Sequence, residues 1–220
     1  GPPQPTTLTA EAPSDALADN LGVHEVSRLP GGIGYLRISG WAPIEWVEPR
    51  LASAMALLRD AKGIIIDVRG NGGGDGNTMN LMLRSFLPIG APETQIGYDR
   101  EGKRFDYITP NEPAWERFPA DLPLVVLIDA GSASASEALA FSLQEESRAT
   151  IVGRRSIGAA HAVFDAVELP GTYSLYIPEY RAEGRISGKT WEGIGVAPDI
   201  WAAPGEEKLI AWEYLREKAR

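Results

Sequence analysis

Cysteine is missing from all 220 residues. Disulfides, thiol nucleophiles and thiolate-held metals are therefore excluded, while the compartment stays open. Histidine occurs only twice, at His24 and His161. No apolar run reaches the roughly 20 residues that a membrane-spanning helix requires. No basic cluster offsets the net charge of −9. That argues against a nucleic-acid partner, because phosphate binding needs clustered Lys and Arg. No repeat of fixed period is found, and no low-complexity tract lies beyond residues 1–20.

What is present suits a soluble globular protein: 44% hydrophobic and 23% charged residues. The length suits one well-buried domain with tails. Residues 1–20, GPPQPTTLTAEAPSDALADN, are rich in Pro, Thr, Ala and acids and have no apolar period. They read as a flexible arm or linker, with the core over residues 21–220. Gly1-Pro2 reads as a remnant of tag removal, which leaves a leader upstream open. His24 reads as a surface residue.

Gly31-Gly32-Ile33-Gly34 leads into an alternating strand, Tyr35–Ile38. Trp41–Pro49, with two prolines and two tryptophans, reads as a connection, and Leu51–Arg59 as a helix. Ile64–Val68 is a strand of the kind buried on both faces. Five glycines in eight residues follow it, Arg69–Gly76, and a helix follows from Thr78 to Leu87. TQIGYD and RFDYIT, separated by Gly102, form a predicted hairpin. Asn111–Pro123 is a proline-rich loop. Leu124–Ile128 is a second buried strand, followed by Ser132, Ser134 and Ser136 alternating with alanine and by a helix over Glu137–Glu145. Short strands are predicted over Ala149–Gly153 and Tyr173–Ile177, with Ser156–Phe164 between them, and a closing helix over Glu206–Lys218. Two strand–loop–helix units predict a mostly parallel α/β core.

The glycine loop has three readings. A dinucleotide loop fits poorly, and a phosphate loop lacks the lysine after Gly74-Asp75-Gly76. An oxyanion hole, with backbone N–H groups facing a developing charge, is the third. A plain tight turn remains beside all of them. The serine turn also has two readings. Ser134-Ala135-Ser136-Glu137 fits a capping box, which a helix start requires for its own sake. The alanines also clear space around Ser134, and the Ala135 N–H would point where a tetrahedral intermediate carries its oxygen. An attacking serine still needs a base.

IGYLRI, IIIDVRGNGGG, LVVLIDAGSASASEALA, ATIVGRRSIG and EGIGVAPDI occur in that order. Together they resemble the tail-specific or C-terminal-processing serine peptidases, a family that includes the tricorn core and the interphotoreceptor retinoid-binding protein domains. The resemblance runs from about Gly22 to Ile200. It implies a ββα superhelix like that of the crotonases and caseinolytic protease subunits. It also implies Ser134 as nucleophile, Gly73 and Ala135 as oxyanion donors, and no cofactor or metal. Peptides or unfolded proteins would be the substrates, in a periplasmic or secreted setting. The lysine of the processing branch falls on Ala159, which takes no proton, and its accessory polar residue falls near Gln144-Glu145. The lysine-free branch uses a glutamate, here Glu192, and a histidine. His161 is the candidate within these residues, with a histidine on an upstream segment as the other source. A non-catalytic member that binds hydrophobic ligands or peptides is the alternative function. Family members carry an N-terminal helical domain and many a PDZ domain. Neither is visible here, so the chain is expected to be a core fragment, and its oligomeric state stays open.

Overall fold

Ile64-Ile65-Ile66 and Leu124–Ile128 carry aliphatic side chains at every position, which only a strand covered on both faces can bury. In the computed structural model, which describes residues 11–106, 112–163 and 166–218, all of them are buried. A short helix, α1 (Ser14–Ala18), precedes β1 (Val23–Leu29) and β2 (Ile33–Ile38), an antiparallel pair. Helix α2 (Ile44–Leu58) leads to β3 (Gly63–Asp67) and, after the glycine loop, to α3 (Gly76–Arg84). The hairpin of β4 (Gln95–Tyr98) and β5 (Arg104–Asp106) comes next. It is followed by β6 (Leu124–Ile128), the serine turn, α4 (Ala135–Glu145) and β7 (Thr150–Gly153). The chain then forms a second hairpin of β8 (Ala166–Glu168) and β9 (Ser174–Tyr176), and β10 (Arg181–Gly184) adds to the edge of β4. Finally β11 (Ile200–Trp201) and α5 (Glu207–Lys218) close the fold.

The central sheet has the order β1-β2-β3-β6-β7-β11, and every pair beyond β1–β2 is parallel. Its register sets Tyr35 beside Ile65 and Ile65 beside Val125. Ile64, Ile66, Val126 and Ile128 face α2, α3 and α4, while Ile65, Val125 and Leu127 face Ala211 and Leu215 of α5. Each such aliphatic side chain contributes about 1.5–3 kcal/mol through removal from water. The carboxyl ends of β3 and β6 lie side by side, so the glycine loop and the serine turn emerge next to each other.

Two expectations need correction or completion. Residues 41–49 are not all connection, because α2 begins at Ile44. Ile44, Val47, Leu51, Ala54, Met55 and Leu58 form one buried stripe at helical spacing. That burial outweighs the break signal of Pro49 inside the helix. Strands β1, β8, β10 and β11 carried no expectation from the sequence. Residues 1–10 of the arm, 107–109 of the second hairpin segment, Asn111 of the loop and Phe164 lie outside the described residues.

Candidate active site

The turn after β6 is stitched to the loop after β3. The Asp129 carboxylate accepts the Gly70 and Gly131 N–H groups, each at 2.9 Å. The Ser132 hydroxyl donates to Val68 O at 2.8 Å, and the Ala133 N–H donates to Asn71 O at 3.0 Å. Among residues 132–140 only Ser134 is exposed; its neighbours on both sides are buried. Its backbone lies at φ 52° and ψ −117°, a conformation that side chains other than glycine rarely adopt. Such strain costs about 1–3 kcal/mol and persists only where surroundings enforce it. Here the Ser134 N–H donates to Glu137 Oε2 at 2.9 Å, and the Ala138 N–H donates to Ser134 O at 2.9 Å.

The glycine loop is shaped to admit that serine. A Cβ on Gly73 would lie 2.8 Å from Ser134 Cβ and 3.3 Å from Ser134 Oγ, and Gly73 has φ +110°. Only glycine permits both the conformation and the approach. The Gly73 N–H donates to Asn71 Oδ1 at 2.9 Å, and Asn71 Nδ2 donates to Ile38 O at 3.1 Å. Asn71 is fully buried. Trp41 clamps the loop from outside: its N–H donates to Gly73 O, its carbonyl accepts the Asp75 N–H, and its Nε1 donates to Ser136 Oγ at 2.9 Å. The Ala135 N–H opens α4 and has no acceptor among the described residues, as the first turn of a helix leaves it.

Below the loop, Asp67 anchors the end of β3. It accepts from Tyr35 Oη at 2.6 Å and from the Arg69 guanidinium at 2.6 and 2.9 Å, and Arg69 also reaches Glu207 at 2.7 Å. Burial would raise the Asp67 carboxyl, but the bonds from Arg69 and Tyr35 outweigh it and hold it below the usual range. The Tyr35 phenol is pushed up, first by burial and then by its bond to Asp67. The Arg69 guanidinium is raised chiefly by its bonds to Asp67. At the far end of the loop, Asp75 caps α3 by accepting the Thr78 N–H at 2.8 Å. Burial raises its carboxyl despite that bond.

Beyond β7, residues 156–161 run past the serine turn, and the Ile157 N–H donates to Ser132 O at 3.1 Å. The Gly193 N–H donates to Gly158 O at 2.8 Å, which binds the EGIGV block to this segment. Ala159 is thereby held near the turn, its N–H donating to Glu137 Oε2 at 2.8 Å. Glu192 Oε2 accepts the N–H groups of Ala160 at 2.7 Å and His161 at 3.0 Å. His161 Nδ1 lies 3.8 Å from Glu192 Oε1, and the two side chains are 34% and 37% exposed. So Ser134, Ala135 and Gly73 meet at one point, and His161 and Glu192 meet each other. No hydrogen bond joins His161 to Ser134 among the described residues. Gln144 reaches Ala197 O and Asp199, tying α4 to that segment, and His24 is exposed on β1. Among the described residues no cluster of His, Asp and Glu is placed to hold a metal, and no helix is long and apolar enough to cross a membrane.

The profile of peptidase family S41 matches residues 32–202. The chain belongs to this family. A relative in family S41, the carboxyl-terminal-processing protease of Synechocystis sp., is 34% identical over 161 residues, covering 71% of this chain and 34% of that protein. The carboxy-terminal-processing protease of Bartonella bacilliformis is 33% identical over 191 residues, 79% of this chain and 39% of the relative. The chain thus spans little more than a third of the length of these curated relatives. Among solved structures, the photosystem II D1 C-terminal processing protease superposes with a TM-score of 0.62 at 26% identity, over 81% of this chain and 45% of that one. The tricorn protease shares the fold at a TM-score of 0.55 and 22% identity, over 86% of this chain and 18% of its own.

Proposed function

We propose that this S41 chain is the core of a serine peptidase that cleaves peptide bonds through an acyl-enzyme. The observation that carries this reading is the exposed, strained Ser134 at the start of α4, in contact with Gly73. In the proposed step Ser134 Oγ attacks the scissile carbonyl. The Ala135 N–H, free of other acceptors among the described residues, receives the developing oxyanion. The Gly73 N–H exchanges its bond with Asn71 for the same oxygen, replacing a neutral acceptor by a charged one. Each such donor lowers the barrier by about 2.7–4 kcal/mol.

The Ser134 proton passes to His161, with Glu192 placed to stabilise the imidazolium. His161 returns it to the leaving amine as the C–N bond breaks. Water, deprotonated in the same way, then hydrolyses the ester and restores the serine hydroxyl. Residue 159, where the resemblance puts the processing branch's lysine, is alanine, so this chain's proton acceptor differs from that branch's. The names of the curated relatives support the carboxyl ends of peptides or unfolded proteins as substrate. The second reading, a family member that binds hydrophobic ligands or peptides without cutting them, has less support from these relatives, whose names are those of proteases. An internally quenched peptide with a free carboxyl end separates the two. The proposal expects turnover by the wild-type chain and none by Ser134→Ala, with stability lowered by no more than a helix cap is worth, about 0.5–2 kcal/mol. Equal turnover by both proteins would refute Ser134 as nucleophile, and tight binding without turnover would establish the binder.

A further inference from the structure

Glu137 entered the sequence reading only as a helix-capping residue. Its carboxylate is fully buried and has four donors around it. Oε1 accepts the Ser156 hydroxyl at 2.5 Å and the Gly158 N–H at 2.6 Å. Oε2 accepts the Ser134 N–H at 2.9 Å and the Ala159 N–H at 2.8 Å. Ser156 donates to Oε1, because the carboxylate only accepts, and its oxygen in turn accepts the Val196 N–H at 2.7 Å. A cap needs one of these bonds. The other three reach residues 156–159, some twenty positions along the chain, and Ser156 extends the chain of bonds to Val196, in the segment between Glu192 and β11. We infer that Glu137 is the positioning residue of the site: it holds the Ser134 backbone in its strained form and locks the segment leading to His161 against it.

The inference rests on the peptidase reading only for its kinetic consequence. Glutamine keeps one acceptor oxygen. It can retain the Ser134 and Ala159 bonds while turning its amide toward Ser156 and Gly158, where it meets the Gly158 N–H. Alanine loses all four bonds. Aspartate keeps the charge but is one methylene too short. A role in positioning therefore ranks Glu137→Gln above Glu137→Asp and Glu137→Ala, whereas a role for the charge alone ranks Glu137→Asp first.

The test pairs amide hydrogen exchange with steady-state kinetics on the quenched peptide, using the whole chain. In Glu137→Ala and Glu137→Asp the Ser134, Gly158 and Ala159 amides should exchange at least about tenfold faster while β6 amides stay protected. kcat should fall about 100-fold with KM nearly unchanged, as expected when a nucleophile is misplaced by about an ångström. Glu137→Gln should fall by much less and keep Ser134 protected. Unchanged exchange at the three amides in Glu137→Ala overturns the inference whatever the kinetics. Wild-type kcat with lost protection overturns its catalytic consequence. Lost protection in a protein whose wild type never cleaves supports the positioning role and counts against the peptidase reading instead. If Glu137→Ala does not fold, the ranking of Glu137→Gln against Glu137→Asp decides.

Discussion

The serine turn and the segment that carries His161 lie at the same end of the sheet but are built differently. The residues on both sides of Ser134 in the turn are buried, and bonds run from the turn to Val68, the glycine loop, α4 and residues 157–159. His161 is a third exposed and leads into the β8–β9 hairpin, where Val167, Leu169, Tyr173, Leu175 and Tyr176 are all exposed. Ser134 and its proposed oxyanion donors are thus anchored directly on the core. The group that would take the proton stands on a lightly packed segment held by Glu192. Ala159, where the resemblance puts the processing branch's lysine, lies between the two, tied by its N–H to Glu137.

The contrast gives ordered predictions. Arg69→Ala should have the largest effect, because it removes the guanidinium that pairs buried Asp67 and Glu207, leaving Tyr35 on the one and Arg154 at 3.7 Å on the other; a loss of about 3–5 kcal/mol in denaturant-measured stability is expected. The pH dependence has a definite sign. Asp67 is held below its unfolded value, so its contribution is complete above about pH 4 and is lost as pH falls through the lower folded value. Arg69→Ala should flatten that part of the acid-stability curve. Gly73→Ala comes next. A methyl group 2.8 Å from Ser134 Cβ must displace the nucleophile, and turnover should fall about 100-fold or more. His161→Asn should lower kcat/KM by about 100-fold as well, but with stability changed by less than about 0.5 kcal/mol, as for other surface sites. A large loss of stability there would dissolve the contrast between the two halves.

The smallest effect belongs to Asp75→Asn. Asparagine caps a helix as well as aspartate does. Burial raises the Asp75 carboxyl, so its contribution declines as pH rises from the unfolded value through the folded one. The substitution should therefore stabilise the protein by a few tenths of a kcal/mol at neutral pH and leave acid stability nearly unchanged, as thermal melts at two pH values would show.

What the sequence disclosed follows the range of the interactions. The buried strands β3 and β6, the glycine loop and the serine turn are local patterns, and each was legible. Gly73 and Ser134 could be paired only because family blocks placed both in one site. Helix α2 was half hidden, since Pro49 is a local signal and the stripe from Ile44 to Leu58 is a tertiary one. The supports of the site were not legible. Asn71 works through Ile38, Trp41 through Ser136, and Glu137 through Ser156 and Gly158. In each case the meaning of a polar side chain lies in a partner far along the chain. Asn71 had one available signal, as a polar residue amid glycines that were read only for their backbone freedom.

The central claim is that Ser134 is an activated nucleophile in this chain despite the alanine at residue 159. A fluorophosphonate reacts far faster with an activated serine than with an ordinary hydroxyl, so a Ser134-dependent adduct tests the claim without requiring the right substrate. Mass spectrometry of the intact and digested protein should find one adduct, on the peptide that holds Ser134, and none in Ser134→Ala. No adduct across the range of pH in which the chain stays folded, or an adduct that persists in Ser134→Ala, would contradict it.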